Sequence, residues 1–137
     1  MTNGNLPLGF EEAWRQLGEG SWSCSAQSDE TIQIVAEGVE MIFVSTPFGI
    51  PEICSLVARV GSFQGLPDEG TLGEEALAWN AMHYSQLSLV GEEELQLKAM
   101  VLIDGRRGFE AEYLRLAIRE MIDTVREWKD KMTGGRE

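Results

Sequence analysis

The spacing of the apolar runs constrains this chain more than any other feature. Residues 31–36 set Ile32 and Ile34 against Gln33. Residues 40–46 carry Met41, Ile42, Phe43 and Val44 and are apolar on both sides. Residues 53–60 are β-branched, with Cys54, Leu56, Ala58 and Val60 on one side. Runs of this length and period predict three strands. Glu37-Gly38 reads as a turn, and Pro47-Phe48-Gly49-Ile50-Pro51 as a break, because two prolines cannot sit inside a ladder. Residues 22–26 predict an irregular strand ahead of them.

Farther along, residues 86–90 and 95–103 predict two more strands joined by Gly91-Glu92-Glu93-Glu94. In the second, Leu95, Leu97, Ala99, Val101 and Ile103 make one face. The other begins polar at Gln96 and Lys98, then turns apolar at Met100 and Leu102. A strand apolar on both sides is expected to be covered twice.

Helical periodicity fills the spaces between strands. Phe10, Ala13, Trp14 and Leu17 make one stripe over residues 8–17, stopped by Gly18 and Gly20. After a Gly/Pro/Asp loop over 61–70, Thr71-Leu72-Gly73-Glu74 fits a capping box, predicting a helix from there to about Tyr84. Leu114, Ile118, Met121, Val125, Trp128 and Met132 step by four and three, the seam of a long helix over 109–132 with an Arg119–Asp123 pair on its polar side. The order is α-βββ-α-ββ-α. Strands cluster between helices with hairpin-length gaps, so the expected class is α+β, a twisted antiparallel sheet flanked by helices. At 137 residues this is one domain, 1–137, with a loose arm at 1–7 and a frayed tail at 133–137. Such a length buries roughly 65–70% of the unfolded surface, enough for a core without staples.

Charge narrows the function. The chain carries 23 acidic and 11 basic residues, and up to residue 105 only Arg15, Arg59 and Lys98 are basic. A surface this acidic repels phosphate, which disfavours nucleic acid and anionic membranes as partners. No run reaches the ~20 apolar residues of a membrane span. The opening MTNGNLPLGFEE has neither the basic nor the apolar region of a secretory signal. Cytoplasm is the expected location, with Cys24 and Cys54 as reduced thiols.

Chemistry is hard to find. His83 is the single histidine, and nothing in the sequence delivers it a nucleophile or carboxylate. One histidine and two separated cysteines give no zinc spacing. No glycine-rich phosphate loop and no calcium loop is present. Glu92-Glu93-Glu94 reads as a solvated hairpin tip, and Glu11-Glu12 and Glu74-Glu75 as first-turn acids that complement a helix dipole. The expectation is therefore no enzyme, no metal and no cofactor. What stands out is apolar surplus. Four tryptophans, five phenylalanines and six methionines sit in a small acidic chain. A five-strand sheet with three helices cannot cover both its faces completely. Either the apolar faces find a partner, or some of these strands are misread, or the aromatics fill a core. Exposed apolar surface rimmed by charge marks protein–protein contact.

The order of elements in an acidic chain of this length resembles the class I type III secretion chaperones. The features that carry the resemblance are the helix at 9–17, strands at 31–60, the helix at 72–84, the strand pair, and the helix at 109–132. It spans roughly residues 8–132. Leu77-Ala78-Trp79-Asn80, followed by two strands and a helix, is similar also to the YbjN-type proteins. The segment 47–51 belongs to neither pattern. The chaperone resemblance implies a non-enzymatic homodimer that holds an N-terminal segment of a secreted effector in non-globular form. A likeness in size and acidity to one member of that family implies the phospholipase effector ExoU as that client, and the resemblance implies a secretion-apparatus ATPase as a further partner. The resemblance places the dimer contact on Trp79, Met82, Leu87, Leu89, Met100 and Leu102. It places the effector groove on Phe10, Trp14, Leu17, Ile32, Ile34, Met41 and Phe43. An extended peptide adds to a sheet edge by main-chain bonds while its side chains fill apolar pockets.

Overall fold

The computed structural model describes residues 9–18, 20–28, 31–45, 53–62, 69–91, 96–104 and 110–132. Along the chain come α1 (Phe10–Leu17), β1 (Ser23–Ala26), β2 (Thr31–Ala36), β3 (Val39–Val44), β4 (Ile53–Ser62), α2 (Glu69–Met82), β5 (Gln86–Val90), β6 (Gln96–Asp104) and α3 (Ala111–Met132). The strands form one antiparallel sheet in the order β1-β2-β3-β4-β6-β5. The α+β class and the antiparallel sheet are as the sequence predicts, with the segment at 22–26 a true edge strand rather than an irregular one. The arm at 1–7, the break at 47–51, the tip at 92–94 and the tail at 133–137 lie outside the described residues.

Register explains which side chains meet. The β2–β3 turn places Glu37 at φ 52° and Gly38 at φ 84°, the paired left-handed geometry of a tight two-residue hairpin. Ile32 then faces Phe43 and Ile34 faces Met41. Through Phe43↔Leu56 and Leu56↔Val101 one apolar face continues across the sheet. All three helices lie on this face. Phe10 of α1 sits on Phe43 with ring centroids 4.8 Å apart, α3 packs along β4 and β6, and Trp79 of α2 meets Trp128 of α3 edge-on at 5.9 Å. The predicted seam of α3 is buried throughout. No helix among the described residues covers the other face, where Gln33, Ile42, Val57 and Met100 are half-buried; Ser55, on the same face, is fully buried. The expectation that the two-sided strands are covered twice is therefore not met by the described helices.

Two local expectations need correction. The second helix starts at Glu69, not at Thr71, so Thr71 and Glu74 lie within it and form no cap at its first residue. Thr71 therefore stands inside the first turn, where its side chain no longer occupies the N-cap position. Arg119 reaches Glu37 across the fold at 2.5 Å, not its helix neighbour Asp123. Arg126 joins it, bonding the Glu37 main-chain oxygen at 2.7 Å. The hairpin tip is thereby clipped to α3.

The sheet is not uniformly paired. β3 meets β4 only through Ile42–Val57, Phe43–Leu56 and Val44–Ser55. Beyond that, residues 39–41 pair β2 alone and residues 58–62 pair β6 alone. The β4–β6 register shifts between Arg59 and Gly61. A bulge bends its strand and raises the local twist, which turns the end of β4 away from β3.

Candidate functional site

The first candidate surface lies under α1. Phe10 and Trp14 stack at 6.4 Å, and Arg115 of α3 donates to the Leu17 main-chain oxygen at 2.7 Å, satisfying a carbonyl at the end of the helix. Of the predicted groove residues, Phe10, Leu17, Ile32, Ile34, Met41 and Phe43 are buried together under this helix, and Trp14 is half-exposed. The structure brings all seven into one cluster, with Trp14 the member that keeps free surface. A cavity of about 530 Å³ opens on the side of α1 that carries Glu12 and Gln16, between α1 and the start of α3, lined by Glu12, Glu110, Glu112 and Arg115 among others; Trp14 does not line it. Its acidic wall suits a basic or polar segment.

The second surface is built around α2, β5 and β6. Here the predicted dimer residues divide. Met82 is 80% exposed, and Leu89 and Leu102 are about two-fifths exposed. Met100 is half-buried on the open face of the sheet. Trp79 and Leu87 point inward. The Trp79 ring stacks on His83 at 3.5 Å and donates its indole N–H to Ser85 Oγ at 3.0 Å. Ser85 in turn meets Thr124 Oγ1 at 2.7 Å. On these elements Leu77, Tyr84 and Val90 are exposed apolar side chains as well, none of which the sequence reading placed at a contact. The signal for Leu77 was available, since it lies off the stripe of Leu72 and Ala76. Tyr84 gave none, because its role is set across the fold. Its hydroxyl donates to the Leu102 main-chain oxygen, and burial, with Tyr113 and Glu120 nearby, pushes the phenol above its usual range.

β5 is an edge strand, and Asn80 guards it. The Asn80 side chain donates to the Leu87 main-chain oxygen at 2.9 Å and accepts the Leu87 N–H at 2.7 Å. It thus stands in for a neighbouring strand at that residue. Gln86 Nε2 meanwhile donates to the main-chain oxygens of Asn80 and His83 at 3.0 Å, closing the end of α2.

His83 sits at the end of α2 with Nδ1 3.1 Å from the Trp79 oxygen. Cys54 is buried, and burial raises the Cys24 thiol above its usual range, away from an activated thiolate. Among the described residues no three of His, Cys, Asp and Glu gather as a metal site, and no helix is long and apolar enough to cross a membrane.

Comparison with known proteins returns a likeness of fold. No family model and no curated protein matches the sequence. Among solved structures, a chain of the HopA1–SchA chaperone–effector complex aligns with TM-score 0.63 and 15% identity, over 87% of this chain and 88% of that one. YbjN, a candidate transcription regulator from E. coli, aligns with TM-score 0.59 and 15% identity, over 84% and 87%. At this identity the likeness is one of fold: the α+β arrangement is shared with a chain of a chaperone–effector complex and with YbjN alike.

Proposed function

We propose that the protein is a homodimeric effector chaperone of the class I type III secretion kind, acting in the cytoplasm by binding and not by catalysis. The observation that carries this reading is the alignment along nearly all of the chain with a component of a chaperone–effector complex. Two features support it. Met82, Leu89 and Leu102, with Leu77 and Val90, are exposed apolar side chains on α2, β5 and β6 that a second copy of the chain can cover. The cluster under α1 carries a half-exposed tryptophan, Trp14, an aromatic side chain of the kind that anchors a bound peptide. The client tested first is the phospholipase effector ExoU, on size and acidity, with a secretion-apparatus ATPase as a later partner.

The equally long alignment with YbjN favours a second reading, a regulatory binding module without a secreted client. Co-expression with ExoU, followed by affinity capture and mass determination, separates the two. Retention of its N-terminal segment on a dimer supports the chaperone. A monomer that retains no effector segment overturns it.

A further inference from the structure

We infer that the notch between β3 and β4 is an insertion site for a short extended segment that carries a carboxylate, a contact point apart from the dimer surface and sharing only the buried Met41 with the groove described above. Strands β3 and β4 part after Ile42 and Val57, and a cavity of about 380 Å³ fills the gap. That volume is at the small end of ligand pockets. Apolar side chains line it on both sides, Ile42 and Val57 on the open face and the buried Met41 and Val125 on the helix side. Its two walls are strand edges, residues 39–41 and 58–62, that have lost their mutual ladder. Main-chain donors and acceptors on such edges are matched best by another extended main chain, as in strand insertion.

The charge of the occupant follows from the rim. Arg59 and Lys129 line the notch, and neither has an ion-pair partner among the described residues. Lys98 stands directly opposite Arg59 on β6. Like charges in that relation are destabilising, and an anion set beside them relieves the repulsion. This is an unusual placement, because Arg59 and Lys98 are two of the three basic residues before residue 106. Glu40 lies on the far wall and forms no bridge to Arg59 among the described residues, so the notch stays open between them. An inserted strand that continues the sheet alternates its side chains. One set meets Met41 and Val125 on the helix side; the other presents a carboxylate to Arg59 on the open side.

The test uses the full chain and two fluorescein-labelled seven-residue peptides. One alternates valine with glutamate, and its twin has lysine at each glutamate position. Fluorescence polarisation is expected to show saturable binding of the glutamate peptide and at least tenfold weaker binding of its twin. Arg59→Glu, at an exposed position, is expected to weaken the glutamate peptide at least tenfold with an unchanged melting temperature, and Lys129→Glu to weaken it to a smaller extent. Hydrogen exchange reads the location: amides of residues 39–41 and 58–62 slow when the glutamate peptide is present. Equal binding of the two peptides overturns the inference, as does indifference to Arg59→Glu, protection confined to another edge, or no binding at millimolar peptide. Neither peptide contains effector sequence, so these outcomes leave the capture experiment on ExoU standing or falling by itself.

Discussion

Replacing Asn80 with alanine tests the idea that α2 guards the sheet edge. The side chain makes two hydrogen bonds to one residue, Leu87, at 2.9 and 2.7 Å. Each is worth about 1 kcal/mol net at a half-buried position, giving about 2 kcal/mol. Alanine is the better helix former by about 0.5 kcal/mol, so the expected loss is about 1.5 kcal/mol. For a domain of this length that lowers the melting temperature by about 6 °C. Asn80→Asp is informative beside it. It keeps the acceptor for the Leu87 N–H but sets a carboxylate oxygen against the Leu87 carbonyl, so it is expected to destabilise at least as much. Urea denaturation gives the free energies, and hydrogen exchange at the Leu87 amide gives the location. The edge freed by Asn80→Ala is also expected to raise self-association at high concentration. A melting temperature within 2 °C of the parent, with the Leu87 amide still protected, refutes the reasoning.

Met100→Glu, on the open face, places a charge in the proposed contact between copies and is expected to convert the dimer to monomer in light scattering, because an unpaired charge in an apolar interface costs several kcal/mol. Trp14→Ala is expected to weaken effector binding at least ~30-fold while leaving the dimer intact; a drop of ~3–5 kcal/mol in stability instead assigns Trp14 to the core. Tyr84 has a folded pKa raised above its free value, by burial first and then by Tyr113 and Glu120. Its neutral form is therefore favoured by folding, and stability is fully present below about pH 10 and declines as pH rises through the folded value. Tyr84→Phe is expected to flatten that alkaline decline in denaturation midpoints, and an unchanged profile removes Tyr84 from the account.

Much of the fold is legible in the sequence because its periodicities are local. The seam of α3 and the alternation of β2 depend on residues a few positions apart, and the burial of Leu114, Ile118, Met121 and Ile32 follows them. The start of α2 is less legible, since the capping motif at Thr71 reads as a start although the helix already runs from Glu69. The sites are less legible still. Trp79 and Leu87 have the composition of an interface, yet Ser85, Asn80 and Trp128 turn them inward through contacts that no local pattern encodes. The notch beside Arg59 depends on a bulge, and a bulge is fixed by what two distant strands can pair. The same holds for Glu37, whose place in a tight turn is readable while its bonds to Arg119 and Arg126 are not.

The pairing of β4 with β6 has a consequence for how the chain is made. β2 and β3 are joined by a two-residue turn and can form as soon as both have been synthesised. β4 finds β3 over three residues only; its long partner is β6, which arrives after α2 and β5. A nascent chain ending within α2 therefore presents the β4 stripe of Cys54, Leu56, Ala58 and Val60 with neither β6 beside it nor α3 above it. Contacts so far apart in sequence form late, and apolar strands that wait for them are open to wrong partners. The final helix, which closes over that stripe through Met121, Val125 and Trp128, completes the domain only once the last part of the chain is free to fold.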